Sequence, residues 1–185
     1  MKITHTNLPG LLIIEPRIFA DGRGFFFESY HKERYGQYGI SNEFVQDNLS
    51  YSVKNTLRGL HYQNPHVQAK LVQVLSGEVF DVAVDIRVGS PTFGQWEGVT
   101  LSSENKKQFY LPRGFAHGFC VLSDTAIFSY KCDDLYAPDC EGGILWSDPD
   151  LNIDWPVKEP LLSNKDGRYT CLKDIHRERL PVFID

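Results

Sequence analysis

The most constraining feature of this sequence is a strict alternation of residue types from position 79 to position 86. Phe80, Val82, Val84 and Ile86 alternate with Val79, Asp81, Ala83 and Asp85. Successive side chains in a β-strand point to opposite faces of the sheet, so this pattern predicts a strand with one wholly apolar face. The turn Ser76-Gly77-Glu78 precedes it, and we expect residues 70–75 to form the partner strand of a hairpin.

Further short strands are indicated at small intervals along the chain. They fall at 96–101, 108–111, 119–122 and 126–132. Only 31–38 and 172–179 suggest helices, which are too few for a layered α/β fold. The pattern predicts a mainly β fold, a sandwich or barrel, and it best fits a double-sheet jelly roll with a few short peripheral helices.

Length and composition predict one domain spanning residues 1–185. The net charge of −5 argues against a general nucleic-acid surface, so no nucleic-acid partner is expected. No apolar run reaches membrane length, and residues 1–15 lack the pattern of a secretion signal. We therefore expect no membrane partner and a cytoplasmic protein. The four cysteines have neither the CxxC spacing of a zinc site nor the regular spacing of a disulfide framework, which predicts reduced and mostly buried thiols.

One segment carries a pattern that fits carbon-acid chemistry. Arg58-Gly59-Leu60-His61-Tyr62-Gln63 is followed seven residues later by Lys70, and we expect these residues on one strand pair. A histidine beside two cations can remove a proton next to a carbonyl while the cations stabilise the charge that develops on oxygen. Taken alone, His61 fits a packed core histidine better than a base, and the motif around it reverses that preference. Lys70 alone also fits a solvated strand-end lysine.

Ordered segments along nearly the whole chain resemble one known family, the dTDP-4-dehydrorhamnose 3,5-epimerases of the cupin superfamily. The resemblance implies a cupin-type double-stranded β-helix, which is a jelly-roll barrel. The matching segments are residues 21–25, 46–50, 58–63, 68–72, 90–94, 112–119, 146–149, 154–156 and 163–166, together with Glu28 and Tyr130.

This resemblance implies inversion of C3 and C5 of a dTDP-linked 4-keto-6-deoxy sugar. Both carbons flank the C4 ketone, so each carries a proton that enolate formation makes acidic. Such a reaction needs a base on one face of the ring, stabilisation of the enolate oxygen and an acid on the other face. It requires no cofactor and no metal. The HxH spacing of metal-binding cupins is also missing after His61.

The resemblance also implies roles for individual residues. His61 is the implied base, Asp166 orients it, Tyr130 is the acid, and Lys70 stabilises the reacting oxygens. Read alone, Asp166 lies in a turn sequence and Tyr130 fits a core aromatic. The implied substrate-binding residues are Arg23, Glu28, Gln46, Asp47, Asn48, Arg58, Lys70, His117, Tyr136, Glu141 and Lys165.

Within that set, the cations and the amides are suited to different parts of the substrate. Arg23 and Arg58 are implied near the diphosphate, since a guanidinium makes bidentate contacts with phosphate. Gln46 and Asn48 offer the donors and acceptors that a thymine edge requires. Tyr136 is a candidate for stacking on the base. Arg23 between two glycines equally fits an exposed turn.

Three other functions remain open from the sequence. A metal-dependent cupin, such as a dioxygenase or isomerase, would need a cluster of His and Glu ligands. A non-catalytic sugar-nucleotide-binding cupin would not need His61, Tyr130 and Asp166 together. A relative that inverts only one carbon, or that acts on another nucleotide-linked keto sugar, would carry the same acid and base. The resemblance further implies a homodimer, in which residues 2–15 could join the sheet of the other subunit.

Overall fold

The chain forms two antiparallel sheets that face each other and a separate hairpin, as a computed structural model shows for residues 1–184. The larger sheet has six strands, in spatial order β1 (Lys2–His5), β2 (Leu12–Glu15), β10 (Gln108–Leu111), β7 (Lys70–Ser76), β12 (Thr125–Cys132) and β5 (Gln46–Val53). The second sheet has five, in the order β13 (Glu141–Gly143), β6 (Leu57–Gln63), β11 (Phe115–Val121), β8 (Glu78–Asp85) and β9 (Trp96–Ser102). The hairpin pairs β3 (Ile18–Asp21) with β4 (Gly24–Phe27).

The connections between the sheets define a jelly roll. Strands β5, β7, β10 and β12 lie in one sheet, whereas β6, β8, β9 and β11 lie in the other. This is the double Greek-key arrangement of a jelly-roll barrel. The predicted mainly β, cupin-type fold is therefore confirmed.

The predicted hairpin between residues 70–75 and the alternating strand is wrong. β7 and β8 lie in different sheets, with β7 between β10 and β12 and β8 between β9 and β11. Only Gly77 separates them, and its positive φ of 80° turns the chain from one sheet into the other. The sequence also predicted that His61 and Lys70 share a strand pair. This prediction is wrong, because β6 and β7 belong to facing sheets.

Both faces of β8 are buried, which explains its alternation. Val79 and Ala83 point between the sheets, into a core with Val72, Phe109 and other apolar side chains. Val82, Val84 and Ile86 point outward and are covered by the later part of the chain, including Ile144, Trp155 and Leu172. The wholly apolar face is thus the outer one, and the face that carries Asp81 lines the interior.

Helical structure is confined to short peripheral segments. The helix predicted at 31–38 is a five-residue α-helix, α1 (Lys32–Gly36), in which Tyr35 is buried. The segment predicted at 172–179 instead forms two 3-10 turns, Leu172–Asp174 and Arg177–Arg179. The late segment packs Leu172 and Leu180 against the outer face of the five-stranded sheet. Burial of a few side chains there does not require a continuous helix.

Strands β6 and β11 approach very closely at Gly59 and Gly118. A Cβ atom at Gly59 would lie 2.5 Å from the Gly118 Cα atom and 2.8 Å from the His117 carbonyl oxygen. The φ angle of Gly59 is 133°, which side chains other than glycine rarely adopt. This contact, where the register shifts between His117 and Phe119, sets His61 opposite His117.

Replacing Gly59 with alanine should therefore destabilise the fold. We expect Gly59→Ala to lower the free energy of unfolding by about 3 kcal/mol, because backbone atoms on β11 must move and φ is unfavourable. Denaturant unfolding monitored by circular dichroism measures this loss. Gly22→Ala is the control, since nothing lies within 4 Å of a Cβ there. Equal stability of the two variants would contradict the close approach.

Candidate active site

Three predicted residues line two adjoining cavities between the sheets. His61 projects inward from β6, while Lys70 on β7 and Tyr130 on β12 project from the facing sheet. The cavities have volumes of about 260 and 280 Å³. Because strand alternation points Leu60 and Tyr62 into the outer core, His61 must point inward. The two sheets thus present chemical groups from opposite sides of one space.

His61 is paired with the carboxylate of Asp166. Its Nε2 atom lies 2.6 Å from Asp166 Oδ1, and the carboxylate is almost fully buried. A 3-10 turn, Asp166–Arg168, presents this carboxylate, and Ser163 Oγ accepts a hydrogen bond from its backbone nitrogen. Burial acts to raise the pKa of Asp166, but the hydrogen bond with His61 and further partners outweigh it and lower the pKa. An ionised carboxylate therefore holds the imidazole, and Nδ1 remains available to accept a proton.

Lys70 is an enclosed cation without a carboxylate partner of its own. The nearest buried acid, Asp81, is paired with His117, and no ion pair within residues 1–184 joins Lys70 to a carboxylate. Burial lowers the pKa of its ammonium. The group lies 6.0 Å from the centre of the Tyr130 ring. A cation in this position is available to an oxygen atom placed between the sheets.

Tyr130 is a protonated phenol in the cavity wall. It belongs to the inward row of β12, after Phe128, and its ring centre lies 6.0 Å from that of Phe128. Burial raises the pKa of the Tyr130 hydroxyl above its ordinary value. The group therefore keeps its proton at neutral pH, which an acid requires.

A second buried histidine–carboxylate pair lies deeper in the barrel. His117 Nε2 is 2.9 and 3.0 Å from the two oxygens of Asp81, and the imidazole stacks on Phe128 at 6.0 Å. Burial raises the pKa of Asp81, although His117 and Lys70 act to lower it. The sequence did not identify Asp81 as a site residue. The signal was present, since Asp81 and Asp85 are charged residues that alternate with the apolar side chains of a strand.

Polar side chains extend the site toward the cavity mouth. Glu141 accepts hydrogen bonds from Tyr136 Oη at 2.8 Å and from Lys165. Burial acts to raise the pKa of Glu141, but these two bonds outweigh it and lower the pKa. Gln46 Oε1 accepts a hydrogen bond from the Tyr136 backbone at 2.9 Å, and Gln46 donates to Asn48 at 2.9 Å. These residues form one connected rim.

Arg58 lines the second of the two cavities. It lines the same cavity as His61, His117 and Lys165, and its Nε atom donates to Ser52 Oγ at 3.0 Å. The guanidinium is otherwise exposed, so it can contact an anionic group at the entrance. Eleven of the predicted site residues thus surround one space. They are Gln46, Asn48, Arg58, His61, Lys70, His117, Tyr130, Tyr136, Glu141, Lys165 and Asp166.

Three predicted site residues lie outside this space. Asp47 is on the outward row of β5, where it forms an ion pair with Lys131 at 2.9 Å. Arg23 is at the tip of the separate hairpin and pairs with Asp21 at 2.6 Å. Glu28 pairs with Arg34 of α1. Within one chain these three do not line the cavities, because strand alternation and the projecting hairpin direct them elsewhere.

Sequence reasoning also missed several lining residues. Phe119 and Phe128 stack at 4.2 Å and form an apolar wall next to His117. Cys132 lines the cavity beside Asn48, whose amide donates to the sulfur at 3.7 Å. Gln63 accepts a hydrogen bond from the Ala137 backbone and so holds the loop that carries Tyr136. Apolar and thiol side chains are common in cores, so nothing in the sequence separates these from packing residues.

The described residues show no cluster of metal ligands and no membrane-spanning helix. Within residues 1–184, no three His, Cys, Asp or Glu side chains gather in a way that could hold a metal ion. None of the helices described there has the length and apolar character needed to span a bilayer.

A jelly roll that brings a histidine–carboxylate pair, an enclosed lysine and a half-buried phenol around one cavity has the architecture of a cupin-class enzyme. The chain belongs to the dTDP-4-dehydrorhamnose 3,5-epimerase family, whose model matches residues 5–174. The enzyme class is accordingly that of an isomerase, as the sequence predicted.

Known proteins are similar to this chain along most of its length. The dTDP-4-dehydrorhamnose 3,5-epimerases of Shigella flexneri and Pseudomonas aeruginosa are 58% and 56% identical to it. The matches cover 90% and 94% of this chain and 93% and 97% of those proteins. The crystal structure of dTDP-6-deoxy-D-glucose-3,5-epimerase from Legionella pneumophila, in complex with dTDP-4-keto-L-rhamnose, is 56% identical. It superposes with a TM-score of 0.97 over 100% of this chain and 99% of that one.

Replacing Lys70 tests whether its unpaired ammonium lowers the free energy of unfolding. We expect Lys70→Met to raise the free energy of unfolding by about 1 kcal/mol, because an enclosed and unpaired charge is exchanged for an apolar side chain. Thermal and denaturant unfolding provide the measurement. Lys131→Met, which removes an exposed ion pair with Asp47, should change stability by less than about 1 kcal/mol. A clear loss of stability in Lys70→Met would contradict the unpaired state of the ammonium.

Proposed function

We propose that this protein inverts C3 and C5 of dTDP-4-dehydro-6-deoxy-D-glucose and so forms dTDP-4-dehydro-L-rhamnose. The observation that carries the proposal is the placement of base and acid on facing sheets. His61 projects from β6 and Tyr130 from β12 into the same cavities. A sugar ring held between the sheets then has a proton acceptor on one face and a proton donor on the other, as inversion requires.

His61 acts as the base in this proposal. Its Nε2 is held by the Asp166 carboxylate at 2.6 Å, which stabilises the imidazolium formed when Nδ1 takes the proton from carbon. C3 and C5 lie on either side of the C4 carbonyl. One base can therefore serve both steps after a small movement of the ring.

Lys70 stabilises the enolate oxygen that forms on C4. Its ammonium has no carboxylate to neutralise it within residues 1–184, so the developing negative charge becomes its partner. His117, oriented by Asp81, contacts the sugar from the deeper end of the cavity. Tyr130 then returns a proton to carbon from the opposite face, and its raised pKa keeps that proton available at neutral pH.

The nucleotide occupies the outer part of the site. Arg58 and Lys165 supply positive charge for the diphosphate, and Gln46 and Asn48 supply hydrogen-bonding groups for thymine. Tyr136 is about half exposed at the cavity mouth, where its ring can stack on the base. Its bond to Glu141 holds the hydroxyl and leaves the ring face free.

The protein is proposed to act as a homodimer in the cytoplasm. β5 is an edge strand whose outward residues Leu49 and Tyr51 are 65% and 59% exposed. The β3–β4 hairpin exposes Phe25 and Phe26 to 59% and 68%. Two exposed apolar surfaces with free strand edges are complementary partners for a second copy. The buried free thiols of Cys120 and Cys132 suit a reducing compartment.

The hairpin, and not residues 2–15, is the segment that we assign to the partner subunit. In the structure β1 and β2 pair within their own chain, with β2 beside β10. Among residues 1–184, the β3–β4 hairpin pairs with no other strand. If it lies along β5 of the other subunit, Arg23 and Glu28 approach that subunit's cavity mouth, where Gln46 and Asn48 lie. This would account for the distance of Arg23 and Glu28 from the site of their own chain.

A charge on β5 tests this interface. We expect the wild-type protein to sediment as a dimer and Leu49→Lys to shift it toward the monomer, because lysine would be buried against the partner's phenylalanines. Sedimentation velocity over a range of concentrations gives the readout. Leu161→Lys, at a leucine exposed to 56% elsewhere, is the control and should stay dimeric. A Leu49→Lys protein as dimeric as wild type would contradict this location.

Deuterium exchange tests the reaction itself. Incubation with dTDP-4-dehydro-6-deoxy-D-glucose in heavy water should place deuterium at both C3 and C5, which NMR detects. Exchange at one carbon alone would replace the proposal with a single-carbon epimerase, and exchange at neither would contradict both.

Variants of the base and the acid separate the two halves of the mechanism. His61→Ala should slow exchange at both carbons by about 10³-fold. Tyr130→Phe should impair completed inversion more than initial proton removal. His5→Ala, at an exposed histidine, should leave both unchanged.

A further inference from the structure

Tyr169 lies directly against the imidazole of His61. The two ring centres are 5.8 Å apart, and the ring planes are inclined at 71°, which is an edge-to-face contact. Tyr169 follows the turn that presents Asp166, so one short segment supplies both the carboxylate and the aromatic neighbour of the histidine. Neither the proposed proton transfers nor the nucleotide contacts use this side chain.

Gly143 provides the space in which the Tyr169 ring sits. On β13, Gly143 is the register partner of His61. A Cβ atom at Gly143 would lie 2.2 to 2.5 Å from three atoms of the Tyr169 ring, so any larger residue at this position would displace the ring. The ring thus lies between the backbone of β13 and the side chain of His61.

The backbone around Tyr169 is also anchored. Thr170 accepts a hydrogen bond from the Leu145 backbone nitrogen at 2.9 Å, and Arg168 donates to the Lys165 carbonyl at 3.0 Å. The Tyr169 hydroxyl is buried beside the Lys165 ammonium and makes no hydrogen bond of good geometry among residues 1–184. The contact with His61 is made by the ring.

The Asp166 carboxylate holds one atom of the imidazole and does not by itself fix the plane of the ring. About a third of the His61 side chain is exposed to the cavity, so the imidazole could pivot about the bond at Nε2. The edge-to-face contact with Tyr169 limits that rotation. Proton abstraction depends on the direction of Nδ1, because the nitrogen lone pair must point at the reacting carbon.

We propose that Tyr169 is a positioning residue, whose aromatic ring fixes the plane of the His61 imidazole for proton abstraction. This inference rests on the proposed function of His61 as the base. The ring acts by shape and contact from the Gly143 recess, and the hydroxyl contributes nothing to the reaction.

The test compares an aromatic with a non-aromatic replacement. Tyr169→Phe should keep kcat within about twofold of wild type, whereas Tyr169→Ala should lower kcat about tenfold with little change in KM. Nitrogen NMR of His61 should show one fixed imidazole state in wild type and Tyr169→Phe and exchange broadening in Tyr169→Ala. Tyr38→Ala, at an exposed tyrosine outside the site, is the control and should match wild type.

The outcomes separate this inference from the proposed function. An inactive wild-type protein would overturn the proposed reaction and, with it, the role of Tyr169. An active wild type with equally active Tyr169→Ala would overturn only the positioning role. Loss of activity in Tyr169→Phe as large as in Tyr169→Ala would show that the hydroxyl acts, and would also contradict the inference. A tenfold loss with an unperturbed His61 spectrum would assign the effect to folding and overturn positioning.

Discussion

The structure depends on keeping ionisable groups between two largely apolar sheets. A charge buried without a partner is strongly unfavourable, so each one inside the barrel must be paired or exposed to a cavity. His61 is paired with Asp166 and His117 with Asp81, whereas Lys70 faces the cavity alone. The ionisable groups can therefore lie at one end of the barrel because the continuous apolar core at the other end stabilises the fold.

The later part of the chain makes this arrangement possible. Ile144, Trp155 and Leu172 cover the outer face of the five-stranded sheet, which frees the inner face of β8 to carry Asp81. The same part of the chain then returns to the cavity with Asp166. The segment that stabilises the fold thus also supplies the carboxylate that is paired with the His61 imidazole.

Local patterns predicted the strands from β7 to β12, since alternation over a few residues reflects burial directly, but they did not predict β1 to β5 or β13. Strand β10 agrees with its prediction at both ends, and β7, β9 and β12 agree to within one residue. Strand pairing was harder to predict. A single glycine between two strands is compatible with a hairpin, but Gly77 instead leads the chain from one sheet into the other. The segment at 172–179 forms 3-10 turns because packing of two leucines replaced helical hydrogen bonding.

Most of the candidate site was indicated by motifs, since the family resemblance includes the segments that carry His61, Lys70, Tyr130 and Asp166. Residues that act through contact escaped notice. Asp81 and Tyr169 lie in segments that read as ordinary strand and turn, and only their positions next to imidazoles reveal a relation to the site. Contact between distant segments has no signature in a single sequence.

The sequence by itself determined the residue types of the site, the β-rich class and the family. Those depend on local periodicity and on motifs, which are properties of neighbouring residues. Only the tertiary structure decided that His61 and Tyr130 come from facing sheets, and that Arg23, Glu28 and Asp47 point away from the cavities of their own chain. Direction and distance arise when segments far apart in the chain pack together, so they exist only in the folded molecule.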